Sequence, residues 1–377
     1  MIIRGERIML FSILFLIVGF ILLVVGAELL VRGASRIALA FGISPLVVGL
    51  TVVAFGTSAP EAAVSTWSVL AGQTGVAIGT VVGSNIFNIL FVLGLSACIT
   101  PLIVSQQVVR LEVPIMIGIS CLMWGLAADR IIGRTDGALL FAGIITYTVW
   151  AIRKSRGETR EIAREYEKEF GKNKRTDGGC AAVQIVMIIV SVGLLVSGSQ
   201  CLVKGAVAIA ELLGVSDLII GLTIVSAGTS LPEVAASVMA AIKGERDIAV
   251  GNVVGSNLFN ILAVLGLSGL IAPHGIPVPA PALALDIPVM VAVAMVCLPV
   301  FFTAHRISRW EGAVFLGFYV LYVAYLVMAA VRFPELLLFR HVVMVFILPL
   351  TGIGLLASVG HTLYKRCRKS KDLVRTR

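Results

Sequence analysis

Two hexapeptides hold the residues of this chain best suited to chemistry. The first is Gly56-Thr57-Ser58-Ala59-Pro60-Glu61 and the second is Gly228-Thr229-Ser230-Leu231-Pro232-Glu233. Each lies inside a long apolar stretch. A carboxylate at that depth is costly, and it marks a functional site by default. It needs a positive partner, yet no Lys or Arg falls at comparable depth in any apolar segment. A bound cation or a proton is the natural partner. Pro60 and Pro232 lack a backbone donor and clash with the carbonyls of Gly56 and Gly228, four residues earlier. A helix broken at membrane depth is tolerated only against protein or a wet cavity. The freed carbonyls, the hydroxyls of Thr57 and Ser58 and the Glu61 carboxylate therefore crowd one place with oxygen. Thr229, Ser230 and Glu233 repeat the arrangement.

A second motif adds to it. Gly83-Ser84-Asn85-Ile86-Phe87-Asn88 recurs as Gly255-Ser256-Asn257-Leu258-Phe259-Asn260. Ser84 and Asn88 are four apart and share one helix face, as do Ser256 and Asn260. The combined set is two carboxylates with hydroxyl, amide and backbone oxygens, without His or Cys. All-oxygen ligation suits hard cations, and Ca²⁺ takes about six to eight oxygens. A blander role exists for some members: Ser84, Ser256, Asn85 and Asn257 are also the kind of residue that joins membrane helices by hydrogen bonds. Glu28 lies near a span end beside Arg32, and its repeat counterpart is Gln200, so it reads as structural. The six cysteines are scattered without metal or disulfide spacing. An intramembrane enzyme would need an aspartate pair, a Cys nucleophile with its base or a His-based metal, and none of these is present. The chain therefore reads as a non-enzyme without a cofactor.

The elements that position these motifs are membrane helices. The sequence is 58% hydrophobic and only 14% charged, whereas soluble domains are about a quarter charged. Apolar segments run over 9–31, 44–71, 75–100, 108–128 and 137–152, then 181–203, 215–242, 247–272, 286–304 and 311–331, with an eleventh at 341–364. Each has about the length that spans a bilayer as a helix. Glu61 and Glu233 are 172 residues apart, as are Asn88 and Asn260, and at that offset 31 of 55 positions from 42–96 match 214–268. A period holding five spans signals two duplicated halves, and an odd number per half inverts them. The expected fold is an all-α polytopic membrane protein: a first five-helix repeat at 1–152, a charged linker at 153–180, a second inverted repeat at 181–331, and an extra span with a basic tail at 332–377.

Charge sets the expected orientation. With the N-terminus outside and the C-terminus cytoplasmic, 23 of the 30 Lys and Arg fall on the cytoplasmic side, the positive-inside bias. The net charge of +9 is thus explained by topology, and no aromatic-basic cluster suggests nucleic acid. Arg4 and Arg7 ahead of an apolar run imitate a secretory signal, but the run is too long for one and has a counterpart in the second half. The expected setting is the plasma membrane of a bacterium or archaeon, with the lipid bilayer as the one evident partner besides the transported ions.

At these motifs the sequence resembles the cation/calcium antiporter superfamily, and most of all the bacterial calcium/sodium branch of the Na⁺/Ca²⁺ exchangers. The resemblance covers about residues 11–100 and 183–272. It implies ten core helices and a central site shared by the second, third, seventh and eighth. Carried over, Glu61 and Glu233 would bind Ca²⁺. Thr57, Ser58, Thr229 and Ser230 would supply oxygens mainly to Na⁺, and Ser84, Asn88, Ser256 and Asn260 would complete the shell. Some relatives carry Asp at the position of Asn260, notably those that also move K⁺, so the Asn here argues against K⁺ cotransport. The expected function is Na⁺/Ca²⁺ antiport by alternating access, with Ca²⁺/H⁺ exchange through the same carboxylates as the alternative.

Overall fold

A computed structural model of the chain describes residues 2–170, 181–215, 226–302 and 305–343, with the single positions 220, 223, 224 and 352. The described residues form α1 (Ile2–Phe41), α2 (Pro45–Thr57), α3 (Ala59–Leu70), α4 (Thr74–Ile99), α5 (Val108–Asp129) and α6 (Arg134–Phe170) in the first half. The second half contributes α7 (Ala181–Leu212), α8 (Leu231–Ile242), α9 (Arg246–Ile271), α10 (Ala282–Phe302) and α11 (Arg309–Ala330), followed by the short α12 (Leu336–Val342). Among the described residues eight helices are long and apolar enough to cross a membrane. The α2–α3 pair, bent by 45°, makes a ninth if it counts as one span. The first part of the expected seventh span, most of the expected eleventh, the basic tail and residues 171–180 lie outside the described residues. Past the expected fifth span the chain stays helical, because α6 continues as one helix to Phe170.

The breaks fall where proline dictates. Pro60 and Pro232 are each the second residue of a new helix, where a missing N–H costs nothing. Ser58 (φ −81°, ψ 6°) and Ser230 (φ −93°, ψ 9°) form the hinges with nearly the same backbone. Wider π-helical turns also recur in both halves. Asn88–Leu93 matches Asn260–Leu265, and Val108–Glu112 matches Ala282–Asp286. Such turns concentrate at functional positions.

Two short antiparallel ladders fix how the halves are related. Leu102–Ile103 (β1) pairs with Arg306–Ile307 (β4), and Ile131–Ile132 (β2) pairs with Ile276–Pro277 (β3). β1 and β2 lie at opposite ends of α5, so the two ladders cap opposite faces of the bundle. β1 and β3 follow the equivalent helices α4 and α9, yet they sit on opposite faces. The halves are therefore inverted.

α4 and α9 occupy the centre. Their apolar windows are 72% and 94% buried, against 39% or less for the other long helices. Glycine permits the closest approaches. A Cβ on Gly251 would lie 2.7 Å from the Leu46 carbonyl oxygen, and one on Gly255 would lie 2.5 Å from that of Leu50. α2 and α9 thus meet backbone to backbone, the small-residue packing of membrane helices. Gly19 and Gly198 do the same for α1 and α7. On the β1–β4 face, Glu28 of α1 joins Lys243 at the end of α8 (2.9 Å) and also Arg32.

Gly255 and its repeat counterpart Gly83 give opposite expectations. Gly83 borders a cavity, so Gly83→Ala leaves thermal stability in detergent nearly unchanged. Gly255→Ala overpacks the α2–α9 seam and lowers stability by about 1–3 kcal/mol, readable as a lower unfolding midpoint.

Candidate cation site

The hinges at Ser58 and Ser230 bring the two hexapeptides face to face, and the contacts cross between halves. Ser230 Oγ donates to Glu61 Oε1 at 2.8 Å, and Ser58 Oγ donates to Glu233 Oε1 at 3.1 Å. Both carboxylates are 0% exposed. Each is the third residue of its helix, α3 or α8, where the helix dipole favours negative charge. Ser84 Oγ lies 3.0 Å from Ser230 Oγ and 3.5 Å from Glu61 Oε1.

A four-asparagine network lies between α4 and α9. Asn88 Nδ2 donates to Asn257 Oδ1 at 3.3 Å, and Asn260 Nδ2 donates to Asn85 Oδ1 at 3.1 Å. Asn85 Nδ2 also faces the Asn257 carbonyl (3.4 Å) and Met290 Sδ (3.5 Å), while Asn257 Nδ2 faces Met116 Sδ (3.5 Å). Asn85 and Asn257 thus serve as the helix-joining members and commit the amides of Asn88 and Asn260. Glu61 Oε2, Glu233 Oε2, Asn88 Oδ1 and Asn260 Oδ1 are left buried without a hydrogen-bond partner. Buried polar atoms are ordinarily paired. These four are all acceptors and form two repeat-related pairs. α3 packs on the turn that starts at Asn260, and α8 packs on the turn that starts at Asn88. Among the described residues no three His, Cys, Asp or Glu side chains gather. A cation here would have two carboxylates and neutral oxygens as ligands, a hard-ion set.

The remaining expected residues are split by an asymmetry. Thr57 is fully buried; its Oγ1 donates to Asn252 Oδ1 at 3.1 Å and lies 3.4 Å from Ser256 Oγ. Ser256 therefore meets Thr57, whereas Ser84 meets the carboxylate side. Thr229, the counterpart of Thr57, lines a cavity of about 440 Å³ together with Ser84, Thr80, Gly79 and Gly83. That cavity runs along α4 from Val76 to Phe87, on the side of the β2–β3 face. Asn252 escaped the sequence reading because its repeat counterpart is Thr80. It bridges Thr57 and Ser237, donating to Ser237 Oγ at 2.9 Å. Ser65, the counterpart of Ser237, has a buried hydroxyl without a partner.

The chain is similar to known exchanger proteins in sequence and in fold. The sequence model described as sodium/calcium exchanger protein matches residues 11–153 and 183–328. CaxA of Alkalimonas amylolytica is 39% identical over 83% of this chain and 98% of its own length. The sodium/calcium exchanger MaX1 of Methanosarcina acetivorans is 34% identical over 84% of this chain and 98% of its own. Among solved structures, the sodium-calcium exchanger NCX_Mj superposes with a TM-score of 0.71 at 30% identity, covering 84% of this chain and 99% of that one.

The Asn252 bridge is testable without touching a carboxylate. Asn252→Thr installs the first half's residue and leaves Thr57 and Ser237 short of a partner. An unsatisfied buried group costs about 1–3 kcal/mol, so thermal unfolding should shift down, while Thr80→Ser should leave it in place.

Proposed function

This chain belongs to the sodium/calcium exchanger family, and from that footing we propose that it exchanges Na⁺ for Ca²⁺ at a central site built on Glu61 and Glu233. As a member it is a multi-pass membrane cation/Ca²⁺ antiporter, a transporter and not an enzyme. The Na⁺ coupling and the two-glutamate site are our reading. One observation carries it: four buried acceptor oxygens, from Glu61, Glu233, Asn88 and Asn260, have no hydrogen-bond partner among the described residues. A proton would satisfy a carboxylate alone. The two amide carbonyls take no proton, and with the hydroxyls nearby they form a ligand set that suits Na⁺ as well as Ca²⁺, which is why we read Na⁺ as the coupling ion.

The mechanism follows from electrostatics. An empty site leaves two bare carboxylates in a low-dielectric core, and burying unpaired charge is costly. The empty protein therefore resists the switch between faces. One Ca²⁺, or a group of Na⁺ ions, balances the two charges and releases it. Ser58 and Ser230 each orient the carboxylate of the opposite half, so both halves must close on the ion together. Thr57, Ser84, Thr229 and Ser256 offer further oxygens. The cavity that reaches Ser84 and Thr229 is the route from the β2–β3 face. In the topology we propose, residues 1–152 and 181–331 are the exchanging halves, and the N-terminus lies outside. The linker and tail are cytoplasmic, and the β2–β3 face is extracytoplasmic.

The test is ⁴⁵Ca²⁺ uptake into proteoliposomes loaded with Na⁺, with H⁺- and K⁺-loaded controls. Uptake should require the outward Na⁺ gradient. Glu233→Gln would leave one charge of a bound Ca²⁺ uncompensated in the core, a cost of about 3–5 kcal/mol, so uptake should fall by about a hundredfold or more. Uptake driven by a proton gradient and indifferent to Na⁺ would establish the alternative, and full activity in Glu233→Gln would remove the site.

A further inference from the structure

The two halves carry a second pair of acidic residues that lies outside the central site. Glu112 closes the π-turn Val108–Glu112, and Asp286 closes the π-turn Ala282–Asp286. Each is followed by a proline two positions on and by a methionine four positions on, in Glu112-Val113-Pro114-Ile115-Met116 and Asp286-Ile287-Pro288-Val289-Met290. Each accepts a hydrogen bond from a tyrosine on the last long helix of its own half, α6 or α11. Tyr147 Oη donates to Glu112 Oε2 at 2.7 Å, and Tyr322 Oη donates to Asp286 Oδ1 at 2.9 Å. The methionines one turn further along are those that touch Asn257 and Asn85. Two repeat-related acids thus stand one helical turn from the asparagine network.

Their surroundings differ sharply. Glu112 is 0% exposed, and its other oxygen accepts from Gln107 Nε2 at 2.9 Å. Asp286 is half-buried, and it lines the 440 Å³ cavity that also reaches Ser84 and Thr229. The described lining of that cavity contains no Lys or Arg and no other acid. The described ion pairs both belong to Glu28, and Arg340 lines a separate apolar cavity beyond Tyr322. Among the described residues Asp286 is therefore a lone carboxylate, without an ion partner, in the wall of the cavity that reaches Ser84 and Thr229. An unpaired acid within a membrane span is a functional candidate, and one charge in a narrow cavity with low-dielectric walls concentrates counter-ions.

We propose that Asp286, held by Tyr322, is an outer capture site for a partly hydrated cation entering from the β2–β3 face, and that Glu112 with Tyr147 is the same device for the opposite face, here closed. This rests on the central-site reading above and adds a positioning residue to it. Asp286 would attract the ion and pass it inward, where Ser84 and the carboxylates replace its water. It would not hold the ion during the switch, so it governs apparent affinity from one face and leaves the maximal rate alone.

The experiment measures ⁴⁵Ca²⁺ transport against Ca²⁺ concentration in right-side-out and inside-out vesicles of Asp286→Asn, Asp286→Glu, Tyr322→Phe and Glu112→Gln. Asp286→Asn should raise the half-saturating Ca²⁺ concentration about tenfold from the cavity face only, with the maximal rate kept within about twofold. Asp286→Glu should restore it, Tyr322→Phe should give a smaller rise, and Glu112→Gln should act from the opposite face only. An unchanged half-saturation in Asp286→Asn, or an equal rise from both faces, overturns the proposal. If Asp286→Asn is not recovered folded, the face-specific rise in Tyr322→Phe decides, and its absence counts against the proposal. Glu233→Gln serves as the control: its inactivity beside a normal Asp286→Asn would discard the outer site alone, whereas its full activity would discard the central site.

Discussion

Glu61 and Glu233 are wholly buried, and neither meets a Lys or Arg among the described residues. Two negative charges cannot rest in such a place without compensation, and the architecture is arranged to make that compensation possible. The hinges at Ser58 and Ser230 aim hydroxyl donors across the interface at one oxygen of each carboxylate and leave the other open. The four asparagines spend their amide nitrogens on one another and on methionine sulfur, which leaves the Asn88 and Asn260 carbonyls facing no donor. The result is a core in which four acceptor oxygens lack a hydrogen-bond partner among the described residues, the set on which the proposed cation site rests. The close α2–α9 seam and the two peripheral ladders hold the elements that present it.

Much of this was legible in the sequence because duplication prints each feature twice. A fixed offset of 172 was enough to pick out Glu61 with Glu233, the hinge serines and the Asn88–Asn260 pair. The inverted pairing of halves also followed, since an expected odd number of spans per repeat reverses direction, and the two ladders agree with inversion. What escaped was whatever breaks the offset. Asn252 aligns with Thr80, so symmetry hid the bridge it makes. Glu112 and Asp286 are 174 apart, a slip of two residues that removes them from a gapless comparison. Asn85 and Asn257 had helix joining as their blander reading, and their hydrogen bonds across α4 and α9 show that joining role. The split of Ser84 and Ser256 between different partners could not be read from identical motifs at all.

That split belongs to a wider pattern. Gly251 and Gly255 are pressed against the backbone of α2, while Gly79 and Gly83 border open space. Thr57 is sealed by Asn252, while Thr229 lines the cavity. Glu112 is dry, while Asp286 is half-buried. Each contrast has the same sense: packing is close where α9 meets α2, and a cavity lies along the first half of α4. Repeats that match at 31 of 55 positions thus hold two different packings in one molecule. Packed cores move between discrete arrangements and do not deform continuously, so two related packings of one repeat are what the proposed alternating access would require.

The crossed serine contacts also bear on how the protein is made. Glu61 draws its closest hydroxyl from Ser230, 169 positions later in the chain. At about 5–20 residues per second of synthesis, the first half waits roughly 10–30 s in the bilayer before that partner exists. During that interval the carboxylate cannot have its mature environment, and protonation or residual water must shield it. The newborn first half is thus an unfinished object that cellular quality control can recognise, and completion of the second half is what ends its vulnerability.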